Sequence, residues 1–401
     1  MKTFRKIAAL VLSLAMIAAL AACGSSSSSD ITTTAADTTA ADTTAAETSA
    51  DGTTAEEAGS QEKEDNGLTK VTLQLKWVQQ AQFMGYYAAK ELGIFEEYGL
   101  DVEIVPGGSV DVAEEVDSGR AQFGTIWVST AMSAISNGSN IISIAQFSQD
   151  SGMTLVSLDG TVADPTKVSE GEVTGNWGGG NEYEMQAYLS SLGLSTDYVT
   201  EDYDMQQLFD GDITWSSAMT YNEMGLVYEA GYEADKLNVL KMEDEGFGML
   251  EDCLIVDTEW AEENEETVAA FLKASILGWA WAIENPAAAG SLVFNAEDTA
   301  NTVSEYHQQF EAAEMAKLTA GSIVTIGDRT TYSNIGYMDP AKYTQTYDIF
   351  AKYSDISNIT AENSYTTYFY DMVEDDADFA AALEGFDYTW DKDYEELYVE
   401  K

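Results

Sequence analysis

The chain has 401 residues, 45% of them hydrophobic, which is too many for one compact core and right for two lobes with additions. Its formal net charge is −52, from 70 acidic against 18 basic side chains. Phosphate binding needs Lys and Arg, so nucleic acid is excluded as a partner, as is electrostatic attraction to anionic lipid; the charge reads as a solvated acidic surface.

The N-terminus reads as an export signal. Lys2, Arg5 and Lys6 precede an apolar run from Ile7 to Leu20. Leu20-Ala21-Ala22-Cys23-Gly24 then resembles a lipoprotein signal-peptidase site. Residues 1–22 would be removed and Cys23 lipidated, anchoring the protein on the extracytoplasmic face of the cell membrane. Residues 23–67 collapse in composition to Ser, Thr, Ala and acidic residues, a disordered tether that cannot bury enough apolar surface to fold. No other stretch is long and apolar enough to span a bilayer. Cys253, in the apolar run GMLEDCLIV, has no cysteine partner once Cys23 is acylated and reads as a buried small side chain.

The folded body begins near Thr69 with strand-like alternation at Val71, Leu73 and Leu75. Trp77 and a Gln79-Gln80-Ala81-Gln82 segment lead into a helical run from Phe83 to Phe95, then a strand from Leu100 to Val105 and a turn at Pro106-Gly107-Gly108. In open α/β sheets, ligands sit beyond the carboxyl ends of strands, which makes Trp77 and Gln82 candidate contacts. Gly107 and Gly108 either present N–H groups to a ligand or merely permit the turn. A helix from Ser109 to Ser118 and a strand from Ala121 to Ile126 follow. Trp127 stands at that strand's end, with Ser129 or Thr130 as the expected cap of the next helix. Strands are expected at Ile141–Gln146 and Thr154–Leu158. A second unit opens at Val173-Thr174, with the flexible turn Asn176-Trp177-Gly178-Gly179-Gly180 before a helix from Glu182 to Leu192. No G-K-[ST] follows, so this is not a nucleotide P-loop. Thr220-Tyr221-Asn222-Glu223 marks another strand end. Leu237–Lys241 and Leu254–Val256 read as returning strands, and Glu259 to Ala289 as two long helices whose apolar face is core.

The motifs W-x-x-x-A-Q-F-x-G-Y-Y-x-A (from Trp77), G-L-D-V and P-G-G resemble the solute-binding lipoproteins of bacterial ABC importers. The matching branch carries thiamine pyrimidine precursors and is related to nitrate, sulfonate and taurine binders. NWGGGNEYEM (Asn176 to Met185), AMTYNEM (Ala218 to Met224), GMLEDCLIV (Gly248 to Val256) and GWAWAIENPAAA (Gly278 to Ala289) are similar to the same branch. The resemblance spans roughly Val71 to Ser354. It implies an α/β, two-lobed periplasmic-binding-protein type II fold with a central ligand cleft and two hinge crossings. Lobe 1 would take residues 69–158 and 255–354, lobe 2 residues 159–254, and residues 355–401 an acidic C-terminal extension. It also implies a monomer that delivers its ligand to an ABC permease, without cofactor or metal and without catalysing a reaction.

The ligand can be argued in part from charge. Beyond the signal only Arg120 and Arg329 remain as arginines. The motifs hold Trp77, Tyr86, Trp127, Trp177 and Tyr221 beside Gln82, Gly108, Asn181 and the carboxylates Glu182, Glu223 and Asp252. Aromatic faces stack flat heterocycles, and a carboxylate accepts hydrogen bonds from an amino-pyrimidine edge. A small heteroaromatic such as an amino-pyrimidine thiamine precursor is the leading expectation; riboflavin, or a sulfonate or nitrate, is the alternative. An enzyme related to the eukaryotic synthase of the thiamine pyrimidine is a further one. That relative uses a histidine and a cysteine-rich iron-binding motif, whereas this chain has Gln80-Ala81-Gln82-Phe83 at the matching place and no cysteine cluster. The single histidine, His307, lies in no recognisable catalytic context and reads as a partly exposed helix residue.

Overall fold

The computed structural model describes residues 67–296, 303–323 and 334–386. The expected signal, Cys23, the tether and Arg329 lie outside the described residues. Strand β1 (Thr69–Gln74) buries Val71 and Leu73, as its alternation requires. After a short 3-10 turn come α1 (Met84–Glu91) and α2 (Ile94–Glu97), separated at Gly93, whose φ of 73° is the left-handed value that ends a helix. β2 (Leu100–Val105) runs parallel to β1, with Thr69 opposite Leu100. α3 (Val112–Asp117) is capped by Asp111, which accepts from the Glu114 N–H. β3 (Phe123–Trp127), α4 (Val128–Ser136) and β4 (Ile141–Gln146) complete the first stretch.

The next stretch holds β5 (Met153–Leu158), β6 (Thr174–Asn176), α5 (Glu182–Ser191), β7 (Val199–Thr200), α6 (Gln206–Phe209), β8 (Trp215–Met219), α7 (Glu223–Glu229) and β9 (Leu237–Lys241). β10 (Asp252–Asp257) then returns to the first sheet, antiparallel to both β3 and β4. Two five-stranded sheets result, ordered β2-β1-β3-β10-β4 and β7-β6-β8-β5-β9. The expected lobe boundaries need correction. Met153–Leu158 pairs with β8 and β9 in the second sheet, so it belongs to lobe 2, and all of β10 lies in the first. Alternation locates a strand but does not say which sheet its long-range partners occupy.

The crossings therefore occupy residues 147–152 and 242–251, and carboxylates hold them side by side. Glu251 accepts from the Gly152 N–H, and Glu243 from the Ser151 N–H at 3.2 Å. Lys342 bridges Asp150 and Glu243, while Glu184 of α5 accepts from the Met249 N–H.

Residues 258–295 form three helices where two are expected: α8 (Thr258–Glu263), α9 (Glu265–Glu284) and α10 (Pro286–Asn295), broken at Asn264 and before Pro286. α9 is the core helix of lobe 1, burying Val268, Phe271, Leu272 and Ile276. It crosses α1 where two glycines meet. A Cβ on Gly278 would overlap the Gly85 carbonyl, and one on Gly85 would overlap the Trp279 ring. Gly278→Val should therefore cost about 3 kcal/mol and lower Tm by at least roughly 5 °C in thermal unfolding; an unchanged Tm would mean the helices separate freely. α11 (Glu305–Ile323), α12 (Pro340–Phe350), α13 (Tyr368–Glu374) and α14 (Ala377–Leu383) follow. The described part of the acidic extension is integral to lobe 1. It buries Phe369, Tyr370, Val373 and Phe379, and Tyr365 forms a bridge with Ser143 of β4. Cys253 is free and buried, its thiol against the Ile126 carbonyl. No helix among the described residues is long and apolar enough to cross a membrane.

Candidate ligand-binding site

A cavity of about 510 Å³ lies between the two lobes, lined by strand and turn ends of both. Eight of the expected residues share its wall: Trp77, Gln82, Gly108 and Trp127 from lobe 1, and Trp177, Asn181, Tyr221 and Glu223 from lobe 2. These positions span almost 150 residues of chain and meet because each ends a strand or opens the turn after it. Tyr203, Lys76, Asn222 and Asp111 also line it. The aromatic surface is continuous across the lobes. Trp77 packs on Tyr203 with ring centres 4.8 Å apart, and Tyr203 stacks on Trp177 at 5.8 Å with planes 14° apart.

Lys76 is the cation at this wall, and it is already engaged. Its Nζ is 2.7 Å from Asp252 and 3.2 Å from the centre of the Trp127 ring. The pairing explains why Asp252, expected as a contact, stands off the main wall. Tyr86 stands off it too, packed edge-on against Phe147 and Trp279. Both line a much smaller chamber behind, which shares Gln82 and Tyr221 with the main cavity. Glu182 turns back instead to accept from the Gly180 N–H at 2.8 Å, fixing the glycine turn. Gly107 and Gly108 spend their N–H groups on the Trp77 and Lys76 carbonyls, so they close the turn and offer neither to a ligand. Ser129 and Thr130 do not cap α4. Their hydroxyls donate to the Gly180 carbonyl at 2.7 Å and the Gly179 carbonyl at 3.3 Å, tying the lobes together beside the cavity.

Glu223 is the chemical centre of the wall. Only 2% of it is exposed, and its carboxylate accepts from Asn222 Nδ2 at Oε1 (2.8 Å), from the Met219 N–H at Oε2 (2.9 Å) and from its own backbone N–H. Burial pushes its carboxyl up to about 7 against those hydrogen bonds and the nearby Lys76 charge. Behind the wall, burial likewise pushes Glu251, bonded to the Tyr221 hydroxyl at 2.9 Å, to about 7, and Glu201, bonded to Ser216 and Ser217, to about 8. Two wall residues carry buried polar atoms without a partner among the described residues, the Trp177 indole N–H and the Asn181 side-chain Oδ1. A donor and an acceptor are thus left for a bound molecule or water. His307 is fully buried, not partly exposed, and its ring reaches Asn222. Periodicity in α11 carried no sign of this, because the contact joins residues 85 apart in sequence.

Comparison with known proteins agrees with this architecture. The profile described as NMT1/THI5 like matches residues 80–289. The chain belongs to that family. The formylaminopyrimidine-binding protein of Halalkalibacterium halodurans is 24% identical over 253 residues, covering 59% of this chain and 74% of that protein. Among solved structures, the zinc-bound ligand-binding component of an ABC-type import system from Staphylococcus aureus superposes with a TM-score of 0.57 at 13% identity, over 76% of this chain and 98% of that one. The periplasmic nitrate-binding protein NrtA of Synechocystis PCC 6803 gives 0.52 at 14% identity, over 78% and 91%. The fold is that of the periplasmic binding proteins.

Proposed function

We propose that this NMT1/THI5-like protein is the extracytoplasmic solute-binding component of an ABC importer, held at the membrane through Cys23. It captures an amino-pyrimidine of the thiamine-precursor class and hands it unchanged to a permease. The observation that carries the reading is the cavity wall itself. Aromatic faces from both lobes surround a buried carboxylate acceptor, and the cation beside them is neutralised by Asp252. Such a wall suits a flat, neutral or weakly basic ring with N–H donors. A sulfonate or nitrate would need a cation or several free N–H groups to offset its charge; Lys76 and the Gly107-Gly108 turn have theirs committed, and the Trp177 indole N–H alone does not suffice. The pyrimidine-binding relative supports the same class. Ligand bridging the lobes stabilises the closed arrangement by its greater affinity for it, which is the state a permease would recognise.

Thermal unfolding against a ligand panel tests this. The panel holds 4-amino-5-hydroxymethyl-2-methylpyrimidine, its formylamino relative, riboflavin, taurine and nitrate. A pyrimidine at about a hundredfold its Kd should add roughly 2.7 kcal/mol, a rise of several degrees, with no shift from the anions. A shift with taurine or nitrate alone would overturn the ligand class while leaving the importer role. Conversion of a pyrimidine during incubation would overturn the binding-protein role.

A further inference from the structure

The wall of the cavity is wired to a buried ring outside it. His307, on α11, is 0% exposed. Its Nε2 lies 2.9 Å from Asn222 Oδ1 and its Nδ1 2.7 Å from Glu229 Oε1, a carboxylate whose side chain is 31% exposed. Asn222 in turn donates from Nδ2 to Glu223 Oε1. The line Glu229–His307–Asn222–Glu223 therefore runs from the surface of lobe 2 to the cavity. Gly225 makes the approach possible, since a Cβ there would press on Phe310 and on His307 Cε1.

The polarity of this line has consequences. Each ring nitrogen faces an oxygen; a neutral imidazole donates from only one of its nitrogens and an imidazolium from both. With a proton on Nε2, the Asn222 carbonyl is held toward His307 and its NH2 toward Glu223. The ionised Glu223 carboxylate is then acceptor-only, and its three protein donors leave acceptor capacity for the cavity. Without that proton the amide would turn over, its NH2 satisfying the bare nitrogen. Its carbonyl would then oppose Glu223 Oε1, which is tolerable only if the carboxyl becomes a donor. The preference of the site for donor-bearing or acceptor-bearing ligands would invert with it.

We propose that His307 is a positioning residue for the cavity: its Nε2–H fixes the Asn222 amide so that Glu223, when ionised, faces the ligand as an acceptor, selecting molecules with an N–H donor edge. The ligand part rests on the amino-pyrimidine reading above; the hydrogen-bond line does not.

Two measurements separate them. The chain has one histidine, so in tag-free, 15N-labelled protein the imidazole nitrogens are assigned without ambiguity. At pH 7.5, without ligand, Nε2 should carry a proton whose signal is protected from solvent and is lost in Asn222→Leu. A bare Nε2 overturns the proposal, whatever the ligand. The second arm titrates 4-amino-5-hydroxymethyl-2-methylpyrimidine and its 4-oxo counterpart, which swaps the amine donor for an acceptor. Wild type should favour the amine by about 100-fold or more. His307→Gln, which can keep a donor near the Nε2 position, should hold that ratio within about threefold, and His307→Leu should reduce it below about tenfold because the amide can then turn either way. A folded His307→Leu variant with an unchanged ratio overturns the positioning role. If wild type binds neither compound, the amino-pyrimidine reading has failed, and the imidazole spectrum alone decides the line.

Discussion

Glu223→Gln should weaken binding of an amino-pyrimidine by about 100-fold in a calorimetric titration, while leaving the fold as stable as wild type or more so above pH 7. Hydrogen bonds to a charged acceptor contribute roughly 1.5–3 kcal/mol each, and exchanging an acceptor oxygen for an amide NH2 also sets donor against donor. A loss of about 2.7 kcal/mol corresponds to that hundredfold. Stability moves the other way because the carboxyl, pushed to about 7 by burial, is costly to ionise in the folded protein. The amide keeps the shape and removes the charge, and the relief of that buried charge offsets the one protein hydrogen bond its NH2 gives up. Trading function for stability in this way is expected of a residue held for binding. An affinity within about threefold of wild type would remove Glu223 from the ligand contacts.

Stability should fall as pH rises from about 5 to 9. Glu223 and Glu251, each pushed to about 7, and Glu201, pushed to about 8, all hold protons in the folded state at pH values where the unfolded chain has released them. The folded state therefore binds more protons than the unfolded one, and the slope of stability with pH is negative. The stabilisation is fully present below the ordinary glutamate value near 4.5 and disappears as pH passes 7 to 8. Each group contributes at most about 1.4 kcal/mol per pH unit, so the three together should remove several kcal/mol. Repulsion across a surface of net charge −52 has the same sign. Salt separates the two: at about 1 M the Debye length is near 3 Å, so surface repulsion is screened while buried carboxylates are not. Thermal unfolding at several pH values in 1 M NaCl should retain most of the slope, and Glu201→Gln should flatten its upper part. A flat profile in high salt would mean that water reaches these carboxyls in the folded protein.

What the sequence made legible follows from where information is local. Trp77, Trp127, Trp177 and Glu223 were findable because a strand end is marked by its own neighbours: alternating apolar residues, then an aromatic, a glycine or an amide. The strand-end rule then places them at one crevice even though they are distant in sequence. The boundary at residue 158 was not legible in the same way, since β5 reads identically whichever sheet it joins. Nor were the ion pair of Lys76 with Asp252, separated by 176 positions, or the contact of His307 with Asn222. Lys76 sits on the polar side of an alternating strand, where solvent is the ordinary expectation. His307 lies in a helix whose polar residues are largely buried, among them Gln308, Gln309 and Glu311. A helix polar on its buried face defeats any reading from hydrophobic period: Gln308 and Glu311 bond Gln79 and Ala81 of lobe 1, while His307 finds Asn222 and Glu229 in lobe 2. Tyr203 was missed for a related reason: it lies in a short acidic loop before α6 and acquires meaning only by stacking on Trp177 and packing at a tilt on Trp77.

The central claim, that the interlobe cavity captures an amino-pyrimidine and leaves it unchanged, is tested most directly by titrating tag-free protein with 4-amino-5-hydroxymethyl-2-methylpyrimidine and weighing the ligand recovered after denaturation. Saturable binding of one molecule per chain, with the recovered mass equal to the mass added, is the predicted result. No saturation at millimolar ligand, or recovery of a molecule of different mass, would contradict it.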